Sequence, residues 1–114
     1  MHLQIVNFSL DGLSPSEYEK HCEHVAPVFA AMPGLIAKFW LADDESNTYG
    51  GVYLWQNRDA FQAYVASGTF AYMINNPRFA GFSSRDFDIL EAPSEITTAT
   101  AVLSSGLRRT HSGW

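Results

Sequence analysis

Two runs decide the architecture: Leu35-Ile-Ala-Lys-Phe-Trp-Leu-Ala42 and Tyr49-Gly-Gly-Val-Tyr-Leu-Trp-Gln56, joined by the polar stretch from Asp43 to Thr48. Both are dominated by aromatic and large aliphatic residues and both alternate with period two, so each reads as a strand. The short polar connection between them makes an antiparallel hairpin natural. Upstream, Leu3 to Leu10 is a third strand-like run, closed by the turn pair Asp11-Gly12. Between that strand and the hairpin lies a strong helix signal. Ser14 is placed to cap, Pro15 takes the first helical position, and Glu17 completes a capping box. Tyr18, Cys22, Val25, Phe29 and Met32 then recur at steps of four and three. Pro27 lies inside this stripe and is expected to kink the helix or divide it, and Pro33-Gly34 ends it.

Downstream of the hairpin, Asn57 caps a second helix running to about Val65, and Ser67-Gly68 stops it. Thr69 starts a short third helix carrying Phe70, Met73 and Ile74, which Asn76-Pro77 breaks. A fourth strand is expected over about Phe82 to Glu91. The order is β-α-β-β-α-(α)-β, an α+β domain of the ferredoxin-like, split βαβ kind, with an antiparallel sheet carrying its main helices on one face. The domain is assigned to residues 1–93. The Ser-, Thr- and Ala-rich segment 94–114 is read as a tail that packs on a partner subunit.

Composition narrows the function classes. Twelve Asp and Glu against seven Lys and Arg, a formal charge of −5, argue against a nucleic-acid partner. No apolar run approaches the roughly 20 residues that span a membrane. A single cysteine, Cys22, and an opening that reads directly as a strand fit a reducing, cytoplasmic setting. Apolar residues make up 46% of the chain and charged residues only 17%, with much of the apolar content in large rings, which points to association. His21 and His24, near Cys22 and Glu23, are spaced one helical turn apart, but no third ligand accompanies them, so no metal is expected. Arg85 and Asp86 read as an edge-strand pair, and Asp43, Asp44 and Glu45 as a solvated turn.

The strands carry too many large apolar residues for a sheet with one wet face. Leu35, Ala37, Phe39 and Leu41 suit packing on helices, as do Val52 and Leu54. That assignment leaves Ile36, Lys38 and Trp40 of one strand, Gly51, Tyr53 and Trp55 of the next, and Leu3, Ile5 and Asn7 of the first on the helix-free face. Leaving several such side chains exposed would forfeit on the order of 10 kcal/mol, and a patch of this kind marks an interface. The expected cover is the same face of a second copy, with a residual aromatic cavity between the two sheets. Trp40, Trp55 and Lys38 are then either pocket lining around a small molecule or simply filler of the dimer core.

Several motifs, in one order along the chain, carry a resemblance. They are Asn7-Phe8 to Asp11-Gly12, His24-Val-Ala-Pro27, Pro33-Gly34-Leu35, Lys38-Phe39-Trp40, Gly50-Gly51-Val52-Tyr53-Leu54 and Arg85-Asp86-Phe87-Asp88. Over residues 3 to 93 the sequence resembles the YdhR-type mono-oxygenases of the dimeric α+β barrel superfamily. The resemblance implies a homodimer with one pocket per subunit. It also implies that an electron-rich phenolic substrate is oxidised by dioxygen without metal, flavin or any other cofactor. Trp40, Tyr53, Lys38 and Asn7 are placed as catalytic groups on that scheme. Trp55, Ile36, Ile5 and Gly51 are placed against the substrate. No histidine falls on the expected pocket face, and Asn7 stands where a relative carries one, so the substrate would have to supply its own acidity. The alternative on the same scaffold is a non-catalytic dimer that binds or senses a small molecule.

Overall fold

A computed structural model of the chain describes residues 1–99. Four strands and four helices follow in the order β1 (His2–Leu10), α1 (Pro15–Ala30), β2 (Leu35–Asp43), β3 (Thr48–Trp55), α2 (Arg58–Val65), α3 (Gly68–Asn75), β4 (Phe79–Asp88) and α4 (Glu91–Thr97). All strand pairs are antiparallel and the sheet order is β2-β3-β1-β4, the ferredoxin-like arrangement.

Local chemistry explains most element ends. The Ser14 hydroxyl accepts from the Glu17 N–H at 3.1 Å, and the Glu17 carboxylate accepts from the Ser14 N–H at 3.0 Å, so the capping box forms. Asn57 caps α2 by accepting from the Ala60 N–H at 2.9 Å. Ser67, read as a stop, also caps α3 by accepting from the Phe70 N–H. Pro27 does not divide α1, which runs unbroken to Ala30. It lies in the last turn, where its missing N–H forfeits a single helical bond, and Phe29 just beyond it is buried against the sheet.

The last strand begins earlier than the sequence indicates, at Phe79 rather than Phe82. Its register on β1 shifts between Asn7 and Ser9, opposite Gly81, which sits at φ +63°. The bulge interrupts the alternation, so only the part beyond it looks like a strand. Phe79 stacks on Phe8 at 4.5 Å. At the other end His2 is almost fully buried, its two ring nitrogens 2.7 Å from an Asp86 oxygen and 2.8 Å from an Asp88 oxygen, tying β1 to β4. Helix α4 crosses the point at which composition places the start of the tail. The remainder of that tail, 100–114, with its expected packing on a partner, lies outside the described residues.

One expectation is reversed. The pairing matches Tyr53 with Gln4 and Lys38, and Gly51 with Val6 and Trp40. Gln4 and Val6 are fully buried beneath the helices, and Tyr53 and Trp55 are 1% and 0% exposed. Lys38, Trp40, Gly51, Tyr53 and Trp55 therefore face the helices, not away from them. Val52, Leu54, Phe39 and Leu41, expected against the helices, lie on the open face with Leu3, Ile5, Arg85 and Phe87. The alternation within each strand is as read; only the phase of the hairpin is inverted. Both of its faces are apolar, so polarity does not distinguish them. The helices present rings of their own: Phe29 and Tyr64 pack against Trp40, Tyr53 and Trp55 of the hairpin, while Phe61 packs on His2 and Phe70 on Tyr64.

Two glycines make this geometry possible. Gly50 adopts φ +147°, and a Cβ there would collide with the Val6 carbonyl oxygen, so β1 and β3 approach only because residue 50 has none. Gly34, at φ +80°, brings the start of β2 against Ala60 of α2, whose Cβ would lie 2.5 Å from any Cβ at 34.

Candidate active site

A cavity of about 110 Å³ lies between α1, α3 and the helix-facing side of the sheet. Tyr18, His21, Cys22 and Phe29 of α1 form one wall, Lys38, Trp40 and Tyr53 of the hairpin form the floor, and Tyr72 and Met73 of α3 close the far side. Its volume is well below the ~300–1,000 Å³ of pockets that enclose drug-sized ligands and close to the ~150 Å³ of a dry cavity that holds benzene. A single aromatic ring or a dioxygen molecule matches that space.

Lys38 is the centre of the site. Its Nζ lies 3.3 Å from the Trp40 ring centroid, 3.4 Å from that of Phe29 and 4.7 Å from that of Tyr53. Trp40 and Phe29 meet edge to face at 5.4 Å and 87°, making a corner into which the amine fits. Among the described residues no carboxylate pairs with it. Burial among these rings disfavours the ammonium form and holds its pKa down, to about 7, with the nearby Cys22 opposing that shift. Gly51 gives the lysine its path, because a Cβ there would come within 3.1 Å of Lys38 Cε and 3.2 Å of Tyr53 Cε1.

Tyr53 is 1% exposed and packs face to face on Trp55, with ring planes 3° apart. Its oxygen accepts from the Tyr64 hydroxyl at 3.3 Å, which leaves its own O–H free to donate. Burial, with Tyr64 adding to it, pushes the Tyr53 pKa well above the usual phenol range. Tyr18 is driven in the same direction by burial and by its contact with Cys22, and burial raises the Cys22 thiol. The site thus holds one amine able to be neutral near pH 7 beside phenol and thiol groups that keep their protons.

The structure brings Lys38, Trp40 and Tyr53 together and sets Gly51 beneath them. Trp55 stands one layer back: its indole N–H donates to Gln4 Oε1 at 3.2 Å, and it supports Tyr53 rather than lining the cavity. Ile36 sits at the irregularity where β2 joins the sheet, on a neighbouring groove with Lys38 and Trp40. Ile5 and Asn7 are on the opposite face, where the Asn7 amide donates to the Tyr49 carbonyl at 3.4 Å. The sheet separates both from the cavity. The α1 wall is what sequence reading missed. Tyr18, Cys22 and Phe29 look like ordinary core stripe, and His21 like a solvated residue, yet His21 lines the cavity near Phe79, with 6.3 Å between ring centroids. Its spacing of three from Tyr18 and four from Val25 places it on the edge of the apolar stripe, the one signal that could have found it. His21 thus belongs to the cavity beneath the helices, on the opposite side of the sheet from the pocket face that the sequence reading considered. Among the described residues no group of three or more His, Cys, Asp or Glu side chains is arranged to hold a metal.

Residues 3–100 match the family model described as "Putative mono-oxygenase ydhR". No curated protein matches the sequence closely enough to count as a relative. Among solved structures, the chain is similar to SnoaB, a cofactor-independent oxygenase from Streptomyces nogalater, with TM-score 0.60, 24% identity, and 80% of this chain and 95% of that one covered. It is also similar to the heme-degrader MhuD from Mycobacterium tuberculosis, solved with two hemes in its active site. There the TM-score is 0.63 at 23% identity, covering 79% of this chain and 96% of that one. A third, described as a "putative antibiotic biosynthesis monooxygenase" from Deinococcus radiodurans, superimposes with TM-score 0.68 at 14% identity, covering 81% and 95%. At such identities these structures share the fold.

Proposed function

The chain belongs to the ydhR mono-oxygenase family, and we propose that it is a cofactor-independent oxygenase acting on a single-ring phenol bound in the cavity between α1 and the hairpin. The observation that carries this reading is Lys38: an amine without a carboxylate partner among the described residues, held on ring faces in an apolar space of one-ring size. An electron-rich phenol reacts with dioxygen far more readily as its anion, so the protein's task is to take a proton and hold the resulting charge. Neutral Lys38 accepts the phenolic proton. The ammonium so formed stays beside the phenolate and compensates its charge in a medium of low dielectric constant. The Tyr53 hydroxyl and the Trp40 indole N–H are donors for the developing oxyanion. The ring supplies both the electrons and two hydrogens: phenol and dioxygen become quinone and water, with one oxygen atom entering the ring and the other leaving as that water.

The reading includes a homodimer, assembled through the open sheet face. Phe39 and Phe87 are 60% and 40% exposed there, beside Leu3, Ile5, Val52 and Leu54. A second copy across a two-fold axis covers this patch without touching the cavity, which lies on the other side of the sheet. No helix among the described residues is long and apolar enough to cross a membrane, and the cytoplasmic placement rests on the single unpaired cysteine.

Oxygen uptake by the purified protein against a panel of one-ring phenols and quinols tests the function. Uptake should rise with pH through about 7 as Lys38 loses its proton, and Lys38→Met should abolish it. Uptake that Lys38→Met leaves unchanged rules the mechanism out. A non-catalytic binding dimer with a ligand in the same cavity is the second reading. It requires a ligand-dependent rise in melting temperature with no oxygen consumed.

A further inference from the structure

Lys38 has a chemical capacity that accepting a proton does not exhaust. Among the described residues its Nζ makes no hydrogen bond and no ion pair; the faces of Phe29, Trp40 and Tyr53 lie against it, with the Cys22 thiol nearby. Its chain lies along Gly51, where even a Cβ would press on Cε, so the amine is delivered to the cavity by the strand and not by a mobile loop. An unprotonated amine in an apolar enclosure is a nucleophile as well as a base. The electrophile that fits is set by the walls. The space accepts one ring, the lining is almost entirely apolar, and buried Tyr53 and Tyr18 offer hydroxyl groups.

We propose that this cavity is also a carbonyl-trapping site, in which Lys38 forms an imine with an aldehyde or ketone borne on a single aromatic ring. The Nζ lone pair forms the C–N bond as the carbonyl π pair moves to oxygen. A proton passes from nitrogen to that oxygen, giving the carbinolamine. The hydroxyl then departs as water while nitrogen gives up its second proton, and C=N remains. Amine and carbonyl become imine and water, with no oxidant or reductant consumed. The apolar walls disfavour the returning water, so the imine persists longer than it would on the surface. None of these steps needs dioxygen, and the proposal stands apart from the oxygenase reading.

Two features make the site testable with the protein as it is. Burial holds the Lys38 pKa near 7, where about half the molecules carry a free amine, against roughly one in 2,500 for a lysine of ordinary pKa ~10.4. The chain has only one other lysine, Lys20, exposed on α1, which serves as an internal comparator. Full-length protein at pH 7 is incubated with benzaldehyde and cyanoborohydride, and the adduct is followed by intact mass and peptide mapping. Peptide mapping sets aside any adduct at the α-amine, whose ordinary pKa of about 7.7–8.0 also leaves it reactive at pH 7; the expected result among the lysines is an adduct of mass equal to the aldehyde less one oxygen, located at Lys38. It should form at least about tenfold faster than at Lys20, given the difference in free amine, and excess toluene should slow it by filling the cavity. Labelling of Lys20 at an equal or greater rate overturns the proposal. So does indifference to toluene, or a Lys38 that takes formaldehyde but not benzaldehyde. Lys38→Arg, checked for native circular dichroism, should lose the adduct at 38 and retain slow labelling at Lys20. An adduct without oxygen uptake would remove the oxygenase reading and leave this one; uptake without an adduct would do the reverse.

Discussion

Replacing Lys38 with Met should change how stability depends on pH, by an amount that follows from the site. Methionine has nearly the same length and fills the corner between Trp40 and Phe29 without a charge. In the folded chain burial holds the lysine pKa near 7, whereas the unfolded chain returns it to about 10.4. Between these values the unfolded state binds more protons than the folded state, so the stability of the lysine protein rises with pH across that window. The integrated difference from pH 7 to pH 10.5 is about 4 kcal/mol, and partial solvent access at the cavity mouth lowers the expectation to roughly 2–4 kcal/mol. The groups that face the amine are His21, Cys22, Tyr18 and Tyr53. All are present in both proteins and largely cancel in the difference. Urea unfolding of the two proteins at intervals from pH 6.5 to 10, with m-values compared, measures it. Lys38→Met should be the more stable protein near pH 7, and its advantage should shrink as pH rises. An advantage that stays constant within about 0.5 kcal/mol would show that the ammonium is solvated in the folded protein. The base and the nucleophile proposed for this cavity would then both be lost.

Other perturbations test the frame around the site. Gly50→Ala should cost more than about 2 kcal/mol, because the new Cβ meets the Val6 carbonyl and the φ is one that favours glycine; urea unfolding reads this directly. Ser14→Ala should cost about 1 kcal/mol with an unchanged m-value, the ordinary effect of losing an N-cap, and Ser14→Thr should recover most of it. Phe39→Asp, on the open face, should convert dimer to monomer in sedimentation while leaving the reactivity of Lys38 intact, since the sheet lies between them. A monomeric native protein at micromolar concentration would remove the reason for that face to be apolar.

The sequence by itself determined the order of the first seven elements and the fold class, but not α4 or the start of β4. The signals were short-range ones: the capping box at Ser14, the cap at Asn57, the helical stripe from Tyr18 to Met32 and the alternation in the hairpin. It also singled out Lys38, Trp40 and Tyr53 as a group, since strand spacing puts 38 and 40 on one side of β2 and the register brings Tyr53 beside them. Which side faces the helices was decided only by tertiary structure. In β2 and β3 both faces are apolar, so burial energy alone is nearly indifferent to their exchange. The choice falls to complementarity with rings on α1, α2 and α3, and that is a long-range matter. The same cause puts Lys38, Trp40 and Tyr53 on a cavity beneath the helices, leaves Ile5 and Asn7 on the other face of the sheet, and brings His21 and Cys22 into the cavity lining. A lysine in an alternating strand carries no local sign that three aromatic neighbours, drawn from three segments of the chain, will strip it of water.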